Sequence, residues 1–267
     1  MLFRSGYRFT EGPTANAKGE VFFTDIPNNR IHKVGLDGQV GVFAEDTGGA
    51  NGLKFGADGR LYAAANGRKQ IVAYDTRGAK TVVADGIESN DLCITSGGRL
   101  YVTDPGNKKV WLVQPDGSKR VVDEGVAFPN GVQLSPDQTL LLVADTRGQF
   151  VWSYQIADDG SLRFKQRYHH LHLVDGSTQS GADGMTVDRD GRLYVTTEAG
   201  VQFCDQAGRV NGIIPKPQRQ WLSNVTFGGP EFSDLYVTCG DKVYRRATRV
   251  RGVPSGTAPI RPAAPRL

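Results

Sequence analysis

The sequence predicts an all-β chain folded as a six-bladed β-propeller, with four antiparallel strands in each blade. Three observations predict it. A strand–turn–strand pattern recurs six times at a spacing of about forty residues. The 267 residues contain 34 glycines and no segment of helical periodicity. The last copy is one strand short, while a strand at the N-terminus has no copy of its own.

The copies are "EGPTANAKGEVFFTD" from Glu11, "NGLKFGADGRLYAAA" from Asn51, "NDLCITSGGRLYVTD" from Asn90, "NGVQLSPDQTLLLVAD" from Asn130, "DGMTVDRDGRLYVTT" from Asp183 and "SNVTFGGPEFSDLYVT" from Ser223. Val225 and Phe227 match Val132 and Leu134, and this phasing selects Ser223 over Asn224 as the aligned residue. In each copy a short alternating strand leads through a turn, such as Asp58-Gly59 or Asp190-Gly191, into a strand rich in β-branched and aromatic residues. Third and fourth strands follow, as in "KVWLVQ" and "KRVVDE". Four short strands per repeat make a propeller blade. The N-terminal "FRSGYRF" is expected to complete the sixth blade from outside and close the ring. Residues 1–251 are read as the propeller. Residues 252–267, rich in Pro, Ala and Gly, form either a disordered tail or a strap across one face. The interval from Asn130 to Asp183 is longer by about thirteen residues, which longer outer strands in the fourth blade would mostly absorb. "DGSTQSGA" before Asp183 reads as a loop at the mouth.

The innermost strands of a propeller run the same way along the channel, so the first residues of the copies gather at one mouth. That ring reads Glu11, Asn51, Asn90, Asn130, Asp183 and Ser223. A turn residue bonding its own backbone explains any one of them. Their recurrence, with two carboxylates, points instead to a site for one hard divalent cation. Ca²⁺ suits an irregular shell of carboxylate, amide and water oxygens, with Mg²⁺, Mn²⁺ and Zn²⁺ as alternatives.

The bulk properties exclude several classes. The formal charge is +4, but Lys242, Arg245, Arg246, Arg249, Arg251, Arg261 and Arg266 lie in an acid-free C-terminal stretch, so the body is acidic and offers no nucleic-acid face. Three scattered cysteines, Cys93, Cys204 and Cys239, form no disulfide framework or zinc motif. With no signal or membrane-spanning run, the expectation is a cytoplasmic protein without a membrane partner, monomeric or weakly dimeric.

Four marks in phase with the blades, "FTEGPTANAKGEVFFTDIPNNRIHKV", "PNGVQLSPDQTLLLVADT", "ADGMTVDRDGRLYVTT" and "FGGPEFSDLYVT", make the residues recognisable. The chain resembles the senescence marker protein 30, gluconolactonase and luciferin-regenerating enzyme family over nearly its whole length. The resemblance implies a six-bladed propeller with one catalytic cation, commonly Ca²⁺. It also implies sugar lactonase activity, with organophosphate hydrolases among the relatives. It places the metal ligands on Glu11, Asn130 and Asp183, and a ligand or substrate contact on Asn90. Asn51, Glu88, Phe128 and Ser223 complete the expected substrate side, with Asn51 and Ser223 acting through water or as structural members. The approach "DGIESND" departs from the Arg-bearing approach usual in bacterial members. Glu88 and Ser89 stand where an Arg would meet a sugar hydroxyl, which predicts a more acidic and open mouth.

The expected chemistry is opening of a cyclic ester, an aldonolactone above all, with Asp183 as general base and the cation polarising the carbonyl. Esterase or organophosphate hydrolysis at the same site, and a non-catalytic binding propeller, are the alternatives. Gly-x-Ser-x-Gly is absent from the sequence. His169, His170 and His172 are read as part of a solvent-facing outer strand, with His170 and His172 on one face. Asp25, Asp104 and Asp145 are read as acceptors for the backbone of neighbouring blades, with a place in the pocket lining as the alternative, and Trp111, Trp152 and Trp221 as fillers between blades.

Overall fold

In a computed structural model, which describes residues 2–264, the chain forms six four-stranded antiparallel sheets. Five are built from consecutive strands. Their innermost members are Thr10–Ala15, Ala50–Phe55, Leu92–Ile94, Pro129–Leu134 and Met185–Val187. In the sixth, Leu222–Gly228, Asp234–Cys239 and Lys242–Ala247 are joined on the outside by Leu2–Ser5, which pairs antiparallel to Lys242–Ala247. The N-terminal strand therefore closes the ring as expected. It is shorter than its sequence pattern, ending before Gly6, whose φ of 98° turns the chain toward the first blade. Each innermost strand contacts the innermost strand of the next blade, and the sixth contacts the first.

The second strand of each blade explains why the copies look apolar at every position. Leu100 and Val102 pack with Tyr62 and Ala64 between the second and third blades, while the intervening Tyr101 packs with Leu141 and Val143 between the third and fourth. A blade has neighbours on both faces, so both side-chain sets of a strand are buried. Six such clusters occupy the six gaps. Trp111 and Trp152 pack against two of them.

Hydrogen bonds also latch one blade to the next. Thr24, Thr103 and Thr196, near the ends of second strands, donate to the carbonyls of Asn51 (3.1 Å), Asn130 (2.6 Å) and Ser223 (3.0 Å) in the following blades. Ser223 Oγ bonds Thr10 O across the closure between the last blade and the first, at 2.8 Å.

Two expectations about connections need correction. The outer strands of the fourth blade are seven and nine residues long, against five and six in the third, and they absorb less than half of the extra length. The larger share lies in the connection between His170 and Met185. That connection is tied down by Ser180 N–H to Gly148 O (2.8 Å) and Gly181 N–H to Thr146 O (3.2 Å). The strand also ends at His170, so His172 does not share its face. His169 is buried, and His172 is held by Gln202 through both backbone groups.

The C-terminal stretch is a strap. Its contacts fall on the ends of the inner strands away from the mouth. Val253 N–H reaches Val187 O (3.3 Å), Ser255 Oγ meets Thr14 Oγ1 (3.3 Å), Gln138 donates to Thr257 O (3.0 Å) and Ile260 N–H reaches Pro136 O (2.8 Å). Residues 265–267 lie outside the described residues.

Candidate metal and substrate site

The mouth of the channel is built where the innermost strands begin. Glu11 and Asp183 are almost wholly buried there, at 4% and 5% exposure. Glu11 Oε2 accepts the N–H of Gly12 and Nδ2 of Asn224, the latter at 3.0 Å. Asp183 Oδ2 accepts the indole N–H of Trp221 at 2.6 Å. Burial, with the neighbouring Asp91 carboxylate, still pushes Glu11 up to about 8. Burial, with the charge of Glu11, likewise holds Asp183 well above the usual carboxylate range. Buried carboxylates that disfavour each other's ionisation leave a strong demand for a cation.

The amides point the same way. Asn130 donates through Nδ2 to Thr146 Oγ1 at 3.0 Å, which fixes the amide and leaves Oδ1 buried with no partner. Asn51 Oδ1 is buried and unpartnered as well. An unpaired buried carbonyl oxygen costs about 1–3 kcal/mol, and here two amide oxygens lack a donor. Among the described residues, no three His, Cys, Asp or Glu side chains are grouped so as to hold an ion. A site here therefore relies on amide oxygens beside carboxylates. Such a donor set, all oxygen and rich in charge, fits a hard divalent cation. Asn90 is half-buried, with its carbonyl accepting from Gly52 N–H at 2.9 Å.

Two polar residues of the channel were not expected, Asp91 and Asn224. Each sits one position after its ring residue, where the other four copies carry Gly12, Gly52, Gly131 and Gly184. The glycine of the preceding blade makes room for each. A Cβ on Gly52 would stand 2.3 Å from Asp91 Oδ1, and one on Gly184 would stand 1.8 Å from Asn224 Cγ. Asp91 is raised by burial, with Lys54 and a hydrogen bond from Asn224 opposing. The exchange of Gly for Asp or Asn at this register was the signal available in the sequence.

Ser223 takes the structural alternative and not the substrate contact. Its carbonyl occupies the ring position, since Thr196 bonds it as Thr24 and Thr103 bond Asn51 and Asn130. Its hydroxyl, however, turns away to Thr10 O, Thr238 O and Thr238 Oγ1, and the residue is 0% exposed. A bulge in the pairing between Leu222 and Asn224 swings Asn224 toward Glu11 instead.

Around the rim, Glu88 pairs with Lys69 at 2.6 Å, so the acid expected to sharpen the mouth's negative charge is neutralised there. Phe128 is half-buried, with the Arg147 guanidinium 4.7 Å above its ring. Asp25 and Asp145 accept backbone N–H groups of Arg8, Phe9, Ala127 and Phe128 in the strands' approaches. Asp104 binds Asn107 and the indole of Trp111. All three serve connections rather than the pocket. Trp221 is a correction, since it stands half-exposed at the mouth rather than between blades.

Comparison with known proteins agrees with this architecture. A gluconolactonase from Zymomonas mobilis is 28% identical over 94% of this chain and 82% of its own length. A pentonolactonase from Haloferax volcanii is 28% identical over 42% of this chain and 38% of its own. The solved gluconolactonase XC5397 of Xanthomonas campestris superposes with a TM-score of 0.81 at 25% identity, covering 94% of this chain and 89% of that one. A calcium-binding regucalcin from Agrobacterium tumefaciens shares the fold at a TM-score of 0.81 and 19% identity, over 95% of each chain. The family model for the SMP-30/Gluconolactonase/LRE-like region matches residues 9–241, from just before Glu11 to just past the last inner pair of strands, and the chain belongs to that family.

Proposed function

We propose that this protein is a divalent-cation-dependent lactonase that hydrolyses a sugar lactone, an aldonolactone, to its hydroxy acid. The observation that carries the reading is the burial of Glu11 and Asp183, the first raised by burial and Asp91 and the second by burial and Glu11, in a channel where Asn130 presents an unpaired amide oxygen. The gluconolactonase and pentonolactonase relatives support the substrate class.

Glu11, Asn130, Asp183 and Asn90 are the residues that would hold the cation, Ca²⁺ first. When bound, it supplies positive charge that stabilises the negative oxygen developing on the lactone carbonyl. Asp183 Oδ2 accepts the Trp221 indole N–H and keeps a second lone pair for the cation, which leaves Oδ1 for a water. Asp183 takes a proton as that water adds to the carbonyl carbon. The ring C–O bond then breaks, and the departing oxygen takes up the proton that Asp183 accepted, which gives the hydroxy acid and restores the carboxylate. Arg147, stacked on Phe128, and Lys69 beside Glu88 place cationic and nonpolar groups on the rim, suited to sugar hydroxyls and ring faces.

The test is Asp183→Asn. It keeps an oxygen in the same place but cannot accept the proton, so turnover is expected to fall by about 100-fold or more. Calcium affinity measured by calorimetry should fall much less. A variant that retains most of its turnover would remove Asp183 from the role of base.

A further inference from the structure

We propose that Trp221 is a positioning residue for the reaction, holding the Asp183 carboxylate in its working orientation from the neighbouring blade. This rests on the reading of Asp183 as a ligand and base. Of the three tryptophans, Trp111 and Trp152 pack against the clusters between blades and turn their indole N–H groups to Asp104 and Asp145, in connections. Trp221 does neither. It precedes the sixth inner strand, is 37% exposed, and donates its N–H to Asp183 Oδ2 at 2.6 Å across the boundary between the fifth and sixth blades.

The indole is held from both ends. The backbone carbonyl of Trp221 accepts Gly240 N–H at 2.9 Å, and the next residue, Leu222, is buried in the cluster between the fifth and sixth blades. The far edge of its ring lies against Gly181, where an added Cβ would come within 3.3 Å of Cη2 and 2.6 Å of Glu198 Cγ. Gly181 also has φ of 62°, a conformation that favours glycine. Backbone and ring edge together fix where the N–H points.

The consequence for Asp183 is asymmetry. A carboxylate free to rotate offers two equivalent oxygens, and one held by a charge-assisted bond at Oδ2 presents its two oxygens in distinct, set directions. Residues that orient a ligand in this way typically contribute about 10–100-fold to affinity or rate. The ring of Trp221 is not needed for this role, and its N–H is.

Trp221→Phe keeps an aromatic ring on Gly181 and removes the donor. We expect kcat to fall by about 10–100-fold, KM to stay within about threefold, and the calcium Kd from calorimetry to rise by about tenfold. Thermal unfolding in chelator reports that the variant is folded. A rise in KM alone would make Trp221 a wall of the pocket and overturn the proposal. So would unchanged kcat and calcium affinity. Wild-type protein that bound no divalent cation would overturn the underlying reading as well, whereas wild-type binding matched by the variant would overturn only the role of Trp221.

Discussion

Replacing Glu11 by glutamine should have opposite effects on the stability of the metal-free protein and on calcium binding. In the metal-free fold, Glu11 is buried beside Asp91 and Asp183 and pushed up to about 8, against an ordinary value of 4.5. The folded chain therefore binds this proton more tightly than the unfolded chain does. The stability it confers is complete below 4.5 and is lost as pH rises through about 8. At about 1.36 kcal/mol per pH unit, the displacement sets a ceiling of several kcal/mol. Water entering the channel and relaxation of the neighbouring groups bring the expected effect to about 1–3 kcal/mol. The amide that replaces the carboxylate would keep an acceptor for Gly12 and Asn224 and carry no charge to bury. Urea unfolding in chelator should then show wild type and Glu11→Gln close together at pH 5. The variant should become more stable by about 1–3 kcal/mol at pH 9. Calcium in excess works against this lead. At a hundred times Kd the wild type gains about 2.7 kcal/mol, and the variant gains less because it has lost a charged ligand. A constant difference across pH, or a variant less stable than wild type in chelator at pH 9, would refute the placement of Glu11 as a buried, repelled carboxylate.

Two further outcomes test the framework around the site. Gly184→Ala places a methyl 1.8 Å from Asn224 Cγ, so it should destabilise by about 1–3 kcal/mol in urea unfolding and weaken calcium binding by displacing the amide from Glu11; wild-type stability and affinity would contradict the packing. Removing residues 1–5 strips the outer strand from Lys242–Ala247 and takes Phe3 off Tyr236, so the melting temperature should fall and self-association should appear in light scattering.

The architecture was legible because its cause is periodic. Each blade must bury both faces and closes its hairpins with turns such as Asp58-Gly59, where Gly59 has φ of 76°, so the repeat is written in residue types. Closure by the N-terminal strand followed from counting strands against blades. The ring of Glu11, Asn130 and Asp183 followed from the common direction of the inner strands. Side-chain direction did not follow. The inner pairings are bulged between Glu11 and Thr14, Ala50 and Leu53, Pro129 and Val132, and Leu222 and Asn224. A bulge breaks the alternation on which facing is read, so Ser223 and Asn224 could not be told apart by phase. The place of Trp221, and the choice of strap over disordered tail, were hidden for another reason. Their positions depend on single contacts with distant residues, Asp183 for the indole and Thr14 or Gln138 for the strap, which no repeat encodes.

The most direct test of a cation-dependent site is hydrolysis of aldonolactones by chelator-stripped protein, followed by a pH indicator before and after calcium is restored. Such a site predicts negligible turnover without the ion, recovery with it, and no recovery in Asp183→Asn. Equal turnover with and without the ion, or none under either condition, would contradict it.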